Sequence, residues 1–171
     1  MTSYIGLLRA VNVGGTGKLA MTDLKSLCET AGFDCVRTYI ASGNVVFESK
    51  LGEKAVKKIL EERLLELAGK PVGVMVRTAA EMADVLKRNP FPNAPGNRTM
   101  AIFLDAPPPA NALDQISGRI DEEVRLGHRE IYVLYDENMG RSKLKIPAAK
   151  TGTARNMNTV SKLAEMAKTR P

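Results

Sequence analysis

Histidine occurs once and cysteine twice in the 171 residues, and each scarcity removes a class of chemistry. His128 alone cannot build a His-rich metal site and gives a histidine-centred triad few parts. Cys28 and Cys35 stand seven positions apart, the spacing of neither a CxxC redox pair nor a zinc knuckle. Both are expected to be reduced and buried, with no structural metal. No apolar run approaches the roughly 20 residues that cross a bilayer, and the N-terminus MTSYIGLLRAVN lacks the basic-then-apolar layout of a secretory signal. The expectation is a cytoplasmic protein with no membrane partner.

What is present is ordinary for a globular chain. Hydrophobic residues make up 44% and charged residues 26%, which excludes global disorder and collagen-like or coiled-coil architectures. The length suits one domain or two closely packed subdomains. The net charge of +6 is uneven: residues 1–137 hold 17 basic and 18 acidic side chains, whereas 138–171 hold 8 basic ones against Glu165 alone. Such a local positive field attracts phosphates, nucleic acid or an acidic surface, and equally describes a solvated basic tail.

YIGLL (4–8) is a compact apolar run and reads as a buried strand. Thr22 is placed to cap a helix with Leu24, Leu27, Cys28 and Ala31 inward, stopped by Gly32 and with Phe33 supplying the hydrophobic contact of a Schellman-type end. CVRTYI (35–40) and VVFE (45–48) read as antiparallel strands joined by a tight turn at Gly43-Asn44. Val56, Ile59, Leu60, Leu64 and Leu67 mark a second amphipathic helix over 53–68, with Glu61, Glu62 and Glu66 on its solvent side, and VGVMVR (72–77) returns as a strand. The order β-α-β-β-α-β is the split βαβ, or ferredoxin-like, arrangement. A helix with Met82, Val85 and Leu86 inward stops at Asn89-Pro90.

In the second half, AIFL (101–104) reads as a strand, 110–118 as a short helix, and EVRLG and EIYVLY as strands hinged near Gly127-His128. The first half is thus echoed without its final strand. Thr153 is placed to cap a last amphipathic helix, with Met157, Val160, Leu163, Ala164 and Ala167 on its apolar stripe and Arg155, Asn158, Thr159 and Lys162 on its polar face. The fold class is α+β with two related subdomains, a ferredoxin-like one over 1–78 and a second over 79–171 that carries the C-terminal helix.

LLRAVNVGGTGK (7–18) invites a nucleotide reading that counting removes. A Walker loop, G-x-x-x-x-G-K-S/T, would need its first glycine at Asn12 and a hydroxyl at Leu19. A dinucleotide fingerprint fits Gly15-Thr16-Gly17-Lys18-Leu19-Ala20 on paper, but it starts too far from the strand, lacks the ribose-binding acid and belongs to another fold. No cofactor motif is satisfied. What survives is a Gly-rich loop, 12–18, with Arg9, Asn12 and Lys18 along it, where amides freed by glycine and a lysine suit an anion. Arg155 adds a second hint, because a cation in a first helical turn opposes the helix dipole unless an anion joins it. Ser42-Gly43-Asn44 lacks the G-x-S-x-G elbow and any base, so it reads as a turn.

Taken together, LLRAVNVGG (7–15), Met21 with Leu24, TYIASGNVVF (38–47), NPF (89–91) and TGTARNMNTVSKL (151–163) resemble the bacterial domain-of-unknown-function family 1697. The resemblance implies a two-subdomain α+β protein with a ferredoxin-like part and no established activity. It implies characteristic positions at Arg9, Asn12, Gly14, Gly15, Ser42, Gly43, Asn44, Asn89, Pro90, Arg155, Asn156, Asn158 and Thr159. Ala10 stands where the family has Gly and Met157 where it has Trp, which removes any role for a stacking indole.

The expectation is a polar pocket formed by loop 12–18 and the helix start near Arg155, binding a phosphate-bearing or other anionic small ligand through Arg9, Asn12, Gly14, Gly15, Lys18, Ser42, Asn44, Arg155, Asn156 and Asn158. Two alternatives stand beside it. One is a nucleic-acid module using the basic 138–171 segment, whose sheet offers only Tyr39 and Phe47 for stacking. The other is an interaction protein without a ligand.

Overall fold

A computed structural model describes residues 1–11 and 18–169. Residue contacts divide the chain into two units, Met1–Met82 with Leu163–Pro171, and Ala83–Lys162.

In the first unit, β1 (Thr2–Leu8), α1 (Met21–Thr30), β2 (Asp34–Thr38), β3 (Asn44–Ser49), α2 (Glu53–Ala68) and β4 (Val74–Thr78) follow in turn. Their strands lie in the order β2-β3-β1-β4 with every pairing antiparallel, which is the ferredoxin-like order the sequence implies. Leu8, Leu24, Cys28, Val45, Phe47, Val56, Leu60, Leu64 and Val74 share the core. Phe47 stacks on Phe33 with ring centroids 4.5 Å apart and is fully buried. α1 ends as expected: Gly32 has φ +91°, its N–H donates to the Glu29 carbonyl, and the Phe33 N–H donates to the Cys28 carbonyl, the paired bonds of a Schellman stop.

Several local expectations change. α1 begins at Met21 behind Ala20, which gives no side-chain cap, so Thr22 lies inside the helix. Leu67, in α2's last turn, is 47% exposed rather than inward. Glu61 is not plain surface charge: its Oε2 accepts the Val74 N–H at 3.2 Å and faces Lys57 at 3.3 Å, tying α2 to the start of β4.

The second unit contains β5 (Thr99–Phe103), β6 (Glu123–Leu126), β7 (Glu130–Leu134) and β8 (Thr153–Asn156), in the order β6-β7-β5-β8. This repeats the first sheet strand for strand, and β8 is the fourth strand that the sequence pattern hid. The crossovers differ. Where the first unit has helices, the second has 3-10 turns at Ala112–Gln115, Met139–Arg141 and Pro147–Ala149. The helix expected over 110–118 shrinks to the turn at Ala112–Gln115, because Ile116 just beyond it is already extended, with φ −73° and ψ 149°. Leu113, Ile116, Leu144 and Ile146 from these segments pack on Val124, Ile131 and Val133.

Each fourth strand runs straight into a helix: α3 (Ala79–Lys87) follows β4 and α4 (Met157–Lys168) follows β8. The end of α4 belongs to the first unit, which alters the 79–171 boundary. Ser3 Oγ donates to the Ala167 carbonyl at 2.8 Å, and Arg37 Nη2 donates to the carbonyls of Met166 and Thr169 at 2.6 and 2.9 Å. A guanidinium there satisfies the carbonyls that a helix leaves open at its C-terminus.

Neither cysteine forms a disulfide. Cys28 is fully buried, and desolvation, with Glu29 adding to it, pushes its thiol up to about 12. A maleimide at pH 8 is therefore expected to modify half-buried Cys35 in the folded protein and Cys28 only after unfolding. Peptide mass mapping reads this, and equal labelling of both would contradict the packing around α1. The folded thiol keeps its proton longer than the unfolded one, so its contribution to stability is intact below about pH 9 and is lost as pH rises towards 12.

Candidate functional site

The site is built on the end of β1. The Leu8 N–H donates to the Gly43 carbonyl and the Arg9 N–H to the Gly73 carbonyl, both at 2.8 Å. The backbone leaving the sheet is thereby held between the β2–β3 loop and the approach to β4. Ala10 follows with φ +56°, in the left-handed region that favours glycine. This is the position where the sequence resemblance calls for Gly, and the backbone shows why.

A pocket of about 410 Å³ opens here. Arg9, Ala10 and Val11 come from the end of β1, Lys18, Leu19 and Asp23 from the approach to α1 and its first turn, and Leu67, Ala68 and 70–73 from the end of α2 onward. Among the described lining residues, Arg9, Lys18 and Lys70 are cations and Asp23 is a carboxylate. Lys70 follows Gly69, the C-cap of α2, near open carbonyls that favour a cation. Residues 12–17, which include Asn12, Gly14 and Gly15, lie outside the described residues; the pocket is lined by both of their neighbours in the chain, Val11 and Lys18.

Ser42 and Asn44 belong to the adjoining β2–β3 loop. Asn44 is not half of a two-residue turn, as the sequence suggested; it opens β3 opposite Leu7 and is fully buried. Its Nδ2 donates to the Tyr39 carbonyl and to Ser42 Oγ, each at 2.9 Å, while the Tyr39 N–H donates to its carbonyl at 3.0 Å. These bonds close a five-residue loop, 39–43. Ile40 in that loop has φ +49°, an outlier for a β-branched residue, and Gly43 has φ +90°. Backbone strain of this kind gathers at sites that constrain a ligand.

Arg155, Asn156 and Asn158 fall in the second unit. Arg155 does not open a helix. It sits in β8 opposite Ala101, only 6% exposed, with Nη1 donating to Thr153 Oγ1 at 2.6 Å and to the Ala154 carbonyl at 2.9 Å. Burial pushes its pKa down to about 10. Asn156, not Thr153, caps α4: its Oδ1 accepts the Thr159 N–H at 2.9 Å. The Met157 N–H donates to the Gly96 carbonyl at 3.1 Å, and Asn158 lies against Gly96. Met157 packs inward, and Thr159, expected on the polar face, is buried.

β4 and α3 contain the same device. Arg77 is 1% exposed and its Nη1 donates to the preceding carbonyl, that of Val76, at 3.0 Å. Thr78 Oγ1 accepts the Glu81 N–H at 3.2 Å while Glu81 Oε1 accepts the Thr78 N–H at 2.9 Å, a capping box. Both arginines stand two residues before a helix, next to its cap. The repeat of Arg-Thr at 77–78 in Arg-Asn at 155–156 is the signal in the sequence that marks Arg155 as a strand residue. Lys70 had no such signal, because only the return of the chain after α2 brings it beside Arg9.

Comparisons with known proteins agree with this architecture. No curated protein matches the chain. The solved structure of the conserved bacterial protein SP0830 from Streptococcus pneumoniae superposes with a TM-score of 0.79 at 21% identity, over 97% of this chain and 98% of that one, a likeness that carries the fold. The family model described as "Protein of unknown function (DUF1697)" matches residues 1–132, a span that holds the whole pocket and ends before β8. The chain belongs to that family.

Proposed function

We propose that the first unit binds a small anionic ligand, a phosphate-bearing one foremost, in the pocket lined by Arg9, Lys18 and Lys70. The observation that carries the reading is that three separate segments bring the cations Arg9, Lys18 and Lys70 to one pocket, in a volume of about 410 Å³ that suits a small molecule. Strained Ala10 on its wall supports it. The buried position of Phe47 removes one of two aromatics that a nucleic-acid reading needs on the sheet.

All three cations are exposed, so each contributes modestly and the sum is screened by salt. Removing one, as in Lys18→Ala or Lys70→Ala, is expected to weaken binding of inorganic phosphate about three- to tenfold at low ionic strength, and 0.15 M salt to weaken it further. Isothermal titration with thermal-shift confirmation measures this, since a ligand that binds only the folded state raises its stability. Phosphate titrating identically into native protein and a Lys18→Glu, Lys70→Glu double variant would reject the pocket.

A further inference from the structure

Among the described residues, β4, β6 and β8 each end a sheet, with a partner strand on one side only. In all of them a cation is turned back onto the strand's own backbone. At β6, the Gly127 N–H donates to the Glu130 carbonyl at 2.7 Å. Counting back along the antiparallel ladder from that bonded pair, Leu126, Val124 and Glu122 turn their N–H and C=O away from β7. The outward carbonyls of Val124 and Glu122 are taken: Arg125 Nη1 donates to the first at 3.0 Å and Arg119 Nε to the second at 2.7 Å. On β4, counted likewise from the Arg9–Gly73 bond, Lys57 Nζ donates to the outward Val74 carbonyl at 2.5 Å and Arg77 Nη1 to that of Val76 at 3.0 Å. On β8, Arg155 serves Ala154 in the same way.

We infer that these cations close the sheet edges, and that at β6 they hold off a second copy of the chain. An edge strand with open carbonyls is a template for pairing, and charged side chains are a known guard against it. β6 fits itself. An antiparallel pair centred on Val124 sets Glu123 of each copy opposite Arg125 of the other, and opposite charges across a pair are favourable. In that register the outward groups meet as Val124 with Val124 and Leu126 with Glu122, so the ladder needs the carbonyls that Arg125 and Arg119 occupy. Charge invites the pairing, and the occupied carbonyls refuse it. Arg77 and Arg155 are buried, whereas the Arg125 side chain is 51% exposed, its guanidinium 5.7 Å from the Phe91 ring centroid and 3.7 Å from Glu123 Oε1. β6 is therefore the edge whose guard can be removed without emptying the core.

Light scattering after size exclusion, with amide exchange at Val124 and Leu126, tests this on the full chain over a wide range of protein concentration. In the native protein, exchange at these two amides is expected not to change with concentration. An Arg119→Thr, Arg125→Thr double variant has no cap to give up on pairing. It is expected to dimerise at least about tenfold more tightly than the native chain, with exchange at both amides slowing as concentration rises. Arg125→Thr alone, a strand-forming change at an exposed position, is expected to act in the same direction and carries the test if the double variant does not fold. Arg125→Lys keeps a cationic donor and is expected to behave as native. If the native amides already slow with concentration, the edge is in use and unguarded. If a folded threonine variant stays unpaired, or associates with no slowing at Val124 and Leu126, the arginines do not guard this edge. If Arg125→Lys pairs as readily as Arg125→Thr, a donor at this position is not what holds the second copy off.

Discussion

Gly43→Ala is expected to destabilise the protein by about 2–4 kcal/mol, whereas Gly32→Ala costs only about 0.5–1 kcal/mol. The two glycines share a backbone conformation, φ +90° and +91°. They differ in their surroundings. A Cβ at Gly43 would lie 2.6 Å from Val11 Cγ2 and 2.9 Å from Leu8 Cβ, whereas one at Gly32 meets nothing within 4 Å. The left-handed backbone penalises alanine at both positions and is partly offset by the lower entropy of the unfolded chain. Only Gly43 adds overpacking, because Leu8 is part of a strand bonded on both sides and cannot withdraw. Urea denaturation followed by circular dichroism measures the difference, and amide exchange at Leu8, whose N–H is bonded to the Gly43 carbonyl, localises it. Equal losses at both positions would mean that loop 39–43 does not press on the end of β1.

This close approach also explains what the sequence could and could not disclose. The first unit was legible because its signals are local and periodic: a 3.6-residue stripe in each helix, Gly32 and Gly69 just past the helix ends, and alternating strands. The second unit obeys the same strand order with helices reduced to 3-10 turns, so periodicity vanished with them. β8 escaped because four residues carry no period, and Thr153 imitates a cap in front of a strongly amphipathic helix. The tertiary context assigns the cap to Asn156 instead, as β8 pairs with β5 up to that residue.

The site divides in the same way. Arg9 and Lys18 were visible as cations flanking a Gly-rich stretch. Ser42 and Asn44 were visible too, and the Asn44 amide bonds to Ser42 and to the Tyr39 carbonyl, as small polar residues in turns often do. Lys70 and the exposed face of Leu67 depend on where α2 ends relative to β1, which no local pattern encodes.

The two buried arginines carry the other large expectation. Arg77→Ala and Arg155→Ala are each expected to cost about 3–5 kcal/mol, through an emptied core volume and the loss of buried charge-assisted hydrogen bonds. Arg77 heads the fully buried side chains by size, and its Nη1 serves the Val76 carbonyl; Arg155 serves Thr153 and Ala154. Burial works against the charge. It pushes Arg155 down to about 10, below the range of an exposed guanidinium. The unfolded state therefore holds this proton more firmly, and this group's burial penalty is carried in full at neutral pH and relieved as pH rises above about 10.

A charge kept in place against that penalty must be held by its hydrogen bonds, and methionine separates the two causes. Arg77→Met and Arg155→Met refill most of the volume and supply no donor. If Met restores stability to near the native value, packing is the larger part. If Met loses as much as Ala, the hydrogen bonds are. A loss below about 1 kcal/mol for either alanine variant would contradict the buried placement itself. The equivalent positions in β4 and β8 predict matched losses for the pair, which a residue reserved for ligand binding would not show. A matched loss in urea titrations, with phosphate affinity of the Arg155→Met variant unchanged, would assign Arg155 to the second sheet and leave anion recognition to Arg9, Lys18 and Lys70.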